Sequence, residues 1–124
     1  MAWNRRLWMT LAAASGFVGV AAGAFGAHGM SDPTAKELMR TGSTYEFVHA
    51  LAAILASTFM RAGADGARVA PAFFLGGTAL FSGSLYALAL GAPHWVGIAT
   101  PVGGVLFLIG WAVLAWSGRK IDQA

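Results

Sequence analysis

Four residues of the sequence have side chains suited to acid–base or ligand chemistry: His28, Tyr45, Glu46 and His49. Each lies at or near the end of a long apolar segment. Glu46 and His49 are three residues apart, so they share one face if this stretch is helical. Ionisable groups at membrane depth are costly and indicate function by default. The four residues therefore form a candidate polar site for a proton, a quinone or another small ligand.

A structural interpretation of the same residues stays open. Ser43 and Glu46 have the spacing of a capping box, in which the two side chains satisfy the first backbone N–H groups of a helix. His28 and His49 could each form a hydrogen bond between helix ends or to a loop carbonyl. In that case the site ties helices together and binds nothing.

Metal chemistry is a weaker alternative. A Glu-x-x-His pair can bind metal in a helix bundle, but carboxylate-bridged di-iron sites need two such pairs and two further glutamates. Only Glu46 and His49 make such a pair, so that site is excluded. A zinc or haem site that uses His28 and His49 remains an alternative. No catalytic residues are predicted, because the sequence has neither a glycine-rich phosphate loop nor a Ser/His/Asp set; no cofactor is predicted and an enzyme is not expected.

The composition determines which elements must position these residues. The chain has 124 residues, of which 57% are hydrophobic and 10% are charged, whereas soluble domains carry about 25% charged residues. The mean hydropathy is +0.65. With so few charges, the chain cannot surround an apolar core with a polar surface. The sequence predicts an integral membrane protein, and the absence of cysteine excludes disulfides and thiolate metal sites.

Apolar runs of about 18 residues or more predict membrane-crossing helices. The 50 residues from Val69 to Gly118 carry no Asp, Glu, Lys or Arg. They are too long for one span, and Gly91-Ala92-Pro93-His94 is the natural turn. The predicted fold is an all-α four-helix transmembrane bundle. Its predicted spans are residues 7–27, 44–61, 69–90 and 95–117.

The longest polar stretch lies between the first two spans. Asp32 followed by Pro33 is typical of an N-cap and a first helical position. Gly42 is then expected to end or bend the helix. We therefore predict a short interfacial helix over residues 33–41 on the outer membrane surface.

Charged residues predict the orientation. One side of the four-span arrangement carries six basic residues, and the other carries Lys36 and Arg40. Because basic loops stay in the cytoplasm, both termini are expected there, in a multi-pass protein of the inner (plasma) membrane. The first segment also resembles a cleaved signal peptide, which stays an alternative. The six basic residues are Arg5, Arg6, Arg61, Arg68, Arg119 and Lys120.

Glycines recur seven residues apart, which places each pair on one helix face. Small residues let helices approach closely in lipid. Tight packing within the bundle is one interpretation, and contact with another subunit is the other. Pro101 removes a backbone hydrogen bond, so we expect a kink in the fourth span. The paired glycines are Gly16 and Gly23, Gly19 and Gly26, Gly76 and Gly83, and Gly103 and Gly110.

Four runs carry a family resemblance: Gly23–Gly29, Tyr45–Leu51, Leu80–Tyr86 and Thr100–Gly104. Together they resemble the small membrane family that includes transmembrane protein 256 and the bacterial proteins called domain of unknown function 423. The resemblance covers nearly the whole chain. It implies a four-helix inner-membrane protein with an uncleaved first helix and a membrane-crossing second segment, and it implies no established activity. His94 lies outside the matching runs.

Three functions agree with these features. The first is an accessory or structural subunit that packs in a larger membrane complex. The second is a transporter, channel or small-ligand-binding protein with a polar pocket at the outer ends of helices 1 and 2, and a haem or metal redox protein is the third. The expected partners are the lipid bilayer and other membrane subunits or a second copy. No nucleic acid is expected, because the basic residues are spread along the chain singly or in pairs and form no cluster.

Overall fold

The described chain is helical and contains no strand. A computed structural model describes residues 5–61 and 68–120. The predicted loop between the second and third segments lies mostly outside the described residues, which omit 62–67. A five-residue 3₁₀ segment, His94–Ile98, follows the turn after the third helix. The helices are α1 (Arg5–Gly29), α2 (Pro33–Arg61), α3 (Ala70–Ala89) and α4 (Ala99–Gly118).

Helices α1 and α2 form an antiparallel pair. A Cβ added at Gly26 would lie 2.6 Å from the Met39 Cβ, and one added at Gly16 would lie 3.8 Å from the Ala50 Cβ. The ten residue steps from Gly26 back to Gly16 on α1 therefore run alongside the eleven residue steps from Met39 forward to Ala50 on α2. Ala50 lies level with Gly16, near the middle of the first apolar run. The centre of α2 is thus at the depth of the bilayer centre if α1 crosses the membrane.

The separate interfacial helix predicted over residues 33–41 is not present, because α2 continues without a break from Pro33 to Arg61. Asp32 caps its start as predicted: Oδ2 accepts a hydrogen bond of 2.9 Å from the Ala35 N–H. Gly42 does not end the helix. Its carbonyl accepts a hydrogen bond of 2.6 Å from Ser82 Oγ, and a Cβ at Gly42 would lie 2.6 Å from the Tyr86 ring. Gly42 therefore lets α3 approach α2.

The described chain has three helices long and apolar enough to cross a membrane, Arg5–Gly29, Ala70–Ala89 and His94–Gly118. Helix α2, the predicted second span, is long enough but too polar to meet the same measure. The positions of its polar residues explain how it fits in the bundle. Charged residues occupy its first turns, and Glu46, His49 and Ser57 further along are buried, whereas Thr44 and Thr58 are exposed. Four buried residues of α2 are alanines, whose small side chains let neighbouring helices approach closely: Ala50, Ala52, Ala53 and Ala56.

The glycines predicted for helix packing differ in how closely a neighbouring helix approaches them. Gly16, Gly19, Gly23 and Gly26 all face α2, as the seven-residue spacing predicts. On α4, Gly103 faces Gly77 and Phe81, and Gly110 faces Phe74. A Cβ at Gly76 would only touch Leu106, at 3.8 Å. A Cβ at Gly83 would meet no atom within 4 Å, so Gly83 does not serve close packing between the described helices.

Pro101 does not interrupt the middle of a helix, as the predicted kink assumed. Helix α4 begins at Ala99, so Pro101 stands in its first turn. A helix leaves its first N–H groups without internal partners, so proline costs little there. The preceding residues form the 3₁₀ segment, and the chain changes helix type between Ile98 and Ala99.

Candidate functional site

The Glu46 side chain joins three helices at the centre of the bundle. It is 5% exposed. Its Oε2 accepts a hydrogen bond of 2.9 Å from Ser15 Oγ on α1, and its Oε1 accepts one of 2.7 Å from the Tyr86 hydroxyl on α3. A Cβ added at Gly19 would lie 3.2 Å from Glu46 Cγ. The absence of a side chain at Gly19 therefore provides the space in which Glu46 sits.

Glu46 is not the capping residue that its spacing from Ser43 suggests. It lies 13 residues into α2, about 20 Å from the start of the helix at 1.5 Å per residue. Ser43 Oγ instead donates a hydrogen bond of 3.1 Å to the Arg40 carbonyl within the same helix. The capping interpretation is therefore wrong, because α2 begins ten residues earlier than Ser43. Glu46 lies deep in the bundle and not at the outer end of a helix.

Glu46 has no cationic partner in the part of the chain that the structure describes. The ion pair found there joins Arg40 to Glu37 at 3.7 Å, and both side chains are exposed. A buried carboxylate without a countercharge is costly. Two hydroxyl groups satisfy its oxygens, and a hydroxyl can donate or accept. Ser15 and Tyr86 can therefore serve the charged and the neutral form of this carboxyl group.

The hydrogen bonds of His49 define its tautomer. Nδ1 lies 2.7 Å from the Tyr45 carbonyl oxygen, and Nε2 lies 2.9 Å from Trp111 Nε1. A carbonyl only accepts and an indole N–H only donates. His49 therefore carries its proton on Nδ1 and accepts at Nε2, as a neutral ring. Since both nitrogens are engaged, His49 could bind a metal only by giving up one of these bonds.

Aromatic rings from α3 and α4 pack around His49. Its ring stacks on Phe107 with 3.6 Å between centroids and 8° between planes. Phe74 lies 5.6 Å away, and Trp111 meets the imidazole edge-on at 5.8 Å. The histidine is 4% exposed. It is thus held by two hydrogen bonds and a stacking contact.

The structure brings together only part of the predicted site. Glu46 and His49 lie inside the bundle, and Tyr45 lies beside them with its ring packed on Phe81 at 4.7 Å. His28 is exposed near the end of α1, nine residues beyond Gly19, or roughly 14 Å along the axis. The pocket predicted to include His28 at the outer helix ends is therefore not formed. His94 is also exposed and lies outside the site.

Three residues that contact the site are not predicted from the sequence: Ser15, Tyr86 and Trp111. Tyr86 and Trp111 resemble the aromatic residues of membrane interfaces, and a single serine in an apolar helix carries no signal. Their role depends on which helix faces meet. Within the described residues, no group of three or more His, Asp or Glu side chains could hold a metal ion.

Two grooves reach this network from the surface. The first, the α1–α3 groove, has a volume of about 540 Å³ and includes Ser15 and Glu46 in its lining. The second, the α2–α4 groove, has a volume of about 480 Å³ and includes Tyr45, His49 and Trp111. Both open on the sides of the bundle, where the exposed side chains are largely apolar. The polar groups are therefore approached from the side that faces lipid.

A bundle of apolar helices around a buried glutamate and a neutral histidine defines a polytopic membrane protein. The chain belongs to the family described as "Protein of unknown function (DUF423)", whose pattern matches residues 22–104. The Haemophilus influenzae "UPF0382 membrane protein" is 42% identical over 91% of this chain and 94% of that protein.

Other relatives are also named as membrane proteins and match this chain over most of their length. The "UPF0382 inner membrane protein YgdD" of Escherichia coli K12 is 43% identical over 95% of this chain and 93% of its own length. A "UPF0382 membrane protein" of Staphylococcus epidermidis is 36% identical over 93% and 97%. No solved structure matches the chain. These relatives agree with the predicted family and with an inner-membrane class, and their names state no activity.

Proposed function

We propose that the protein binds a small ligand inside the membrane through the Glu46 carboxyl group. One observation carries this proposal: Glu46 is buried, forms no ion pair in the described chain, and lines a groove that reaches the surface. Ionisable groups at such depth face a binding site or a transport route more often than they serve packing alone.

The partners of Glu46 suit reversible binding. The Ser15 and Tyr86 hydroxyls can rotate or reverse their hydrogen bonds when a ligand takes one carboxyl oxygen. A salt bridge in the same place would instead have to be broken. His49 has a supporting role in this proposal: it accepts a hydrogen bond from Trp111 that links α2 to α4, and its bond to the Tyr45 carbonyl within α2 orients the ring.

If the proposal is correct, a small compound should co-purify with the wild-type protein and be lost when Glu46 is replaced. Wild type and Glu46→Gln would be purified from native membranes in mild detergent, and their small-molecule contents compared by mass spectrometry. Glutamine keeps the size of the side chain and removes its charge, and its NH₂ group can donate to the Ser15 or Tyr86 hydroxyl, which then accepts. We expect at least one compound to fall on the order of tenfold or more in Glu46→Gln, since charged hydrogen bonds contribute about 1.5–3 kcal/mol. Glu37→Gln, at an exposed carboxylate, is the matched control and should carry the wild-type complement.

The same preparation tests the accessory-subunit function, which one observation favours. Helix α1 packs mainly on α2, and only 11% of its apolar stretch is buried within the chain. The remaining surface is available to lipid or another membrane subunit. Identical small-molecule contents in wild type and Glu46→Gln, with another membrane protein at fixed stoichiometry, would favour that role and contradict ligand binding.

We further propose that both termini lie in the cytoplasm. Arg5, Arg6, Arg119 and Lys120 flank the ends of α1 and α4, whereas Lys36 and Arg40 lie near the opposite ends. Basic residues near membrane helices are retained inside. A green fluorescent protein fused to the C-terminus should fluoresce, and alkaline phosphatase fused there should be inactive. The reverse pattern would contradict this orientation.

A further inference from the structure

The α1–α3 groove combines one acidic group with apolar walls. Helices α1 and α3 make few direct contacts, and small side chains keep the space between them open. Among the described residues that line the groove, Glu46 is the only charged one, and Ser15 donates a hydrogen bond to it. Thr78 is also polar, but its hydroxyl donates a hydrogen bond of 2.9 Å to the Phe74 carbonyl. The other lining residues are Trp8, Leu11, Ala14, Val18, Ala72, Leu75, Gly76 and Ala79.

We infer that the α1–α3 groove takes up a lipophilic monovalent cation from the bilayer and places its charge at Glu46. This inference rests on the proposed function and names its ligand class. An unpaired carboxylate in an apolar groove is complementary to one positive charge on an apolar body. The groove volume of about 540 Å³ lies within the usual range of small-molecule sites, about 300–1,000 Å³.

Other ligand classes fit the lining less well. A phosphate or carboxylate would be repelled by Glu46, and the described lining residues include no lysine or arginine to bind it. Calcium takes 6–8 oxygen ligands and zinc usually takes four ligands, more than Glu46 with Ser15 and Thr78 supply.

The chain contains a natural control for this groove. The α1–α2 groove, on another side of α1, has a volume of about 530 Å³ and an entirely apolar set of lining residues. Ala13 lines it, as Ala79 lines the α1–α3 groove. Both alanines are exposed. A phenylalanine at either position fills a groove of similar size, but only Ala79→Phe obstructs the approach to Glu46.

Tetraphenylphosphonium binding tests the inference. The full-length protein would be placed in nanodiscs of a zwitterionic lipid, and binding measured by equilibrium dialysis. Wild type should bind tetraphenylphosphonium saturably, whereas the anion tetraphenylborate, which has the same shape, should show no saturable binding. Glu46→Gln and Ala79→Phe should each weaken binding on the order of tenfold or more, and Ala13→Phe should bind as wild type.

Several outcomes would overturn the inference. Equal saturable binding of both ions, or equal binding by wild type and Glu46→Gln, would mean that the groove only accommodates apolar molecules. Weakening by Ala13→Phe but not by Ala79→Phe would place the site in the other groove. If tetraphenylphosphonium fails to bind while a neutral compound co-purifies in a Glu46-dependent manner, the ligand class is wrong and the proposed function stands. Circular dichroism of every variant verifies that it is folded.

Discussion

Gly103→Ala should reduce the free energy of unfolding by about 3 kcal/mol or more. The added Cβ would lie 2.7 Å from the Gly77 carbonyl oxygen and 2.8 Å from the Phe81 Cβ, and it would also collide with the Phe81 backbone nitrogen. Backbone atoms cannot rotate away as a flexible side chain can. Helices α3 and α4 must therefore separate along their interface. Unfolding by SDS titration in mixed micelles, followed by circular dichroism, measures the change.

Gly104→Ala is the matched control for this substitution. It adds the same methyl group one residue further along α4, where the nearest atom is Phe81 Cδ2 at 4.0 Å. Its stability should remain within about 0.5 kcal/mol of wild type or rise slightly, because alanine favours helix more than glycine does. Equal effects of the two substitutions would show that α3 and α4 do not meet at Gly103.

His49→Ala should reduce the free energy of unfolding by about 2–4 kcal/mol, as a buried side chain is lost and a partner is left unsatisfied. The substitution removes the ring that stacks on Phe107 at 3.6 Å. It also leaves the Trp111 indole N–H without its acceptor. The same SDS titration measures the loss, and His28→Ala and His94→Ala, at exposed positions, should stay within about 0.5 kcal/mol of wild type.

A double-mutant cycle separates the hydrogen bond from the packing. Trp111→Phe keeps an aromatic ring but removes the donor to His49 Nε2. If the bond forms, the loss in the double variant His49→Ala/Trp111→Phe should be smaller than the sum of the single losses by about 1 kcal/mol. Strictly additive losses would contradict direct coupling between α2 and α4 at this point.

The local features of the fold could be read from the sequence. Asp32 and Pro33 predicted the start of a helix, and Gly91 predicted the turn before α4, where it adopts a φ of +101°. These signals are local, because capping and turn geometry depend on neighbouring residues. The break predicted at Gly42 was wrong for a non-local reason. Its neighbours Ser82 and Tyr86 belong to another helix and are 40 and 44 positions away in the sequence.

Part of the candidate site could also be predicted. Glu46 and His49 were identified because charged or polar groups are rare in apolar segments. Their depth was misjudged, since α2 begins at Pro33 and not near Ser43. His28 was included because its predicted position lay at the same membrane surface. Because α2 begins at Pro33, Glu46 lies deep in the bundle, whereas His28 lies at the end of α1.

The amino-acid sequence alone predicts an all-helical membrane protein with a glutamate and a histidine on one helix face. Hydropathy, helix length and three-residue spacing are properties of single segments, so they need no tertiary information. The contacts of Glu46 with Ser15 and Tyr86, and those of His49 with Phe107 and Trp111, are seen only in the folded chain. Those pairings depend on the rotation and register of each helix against its neighbours, which the glycine and alanine contacts between helices set. The position of the Glu46 carboxyl group at the α1–α3 groove, bonded to two hydroxyls and to no cation among the described residues, follows from that packing.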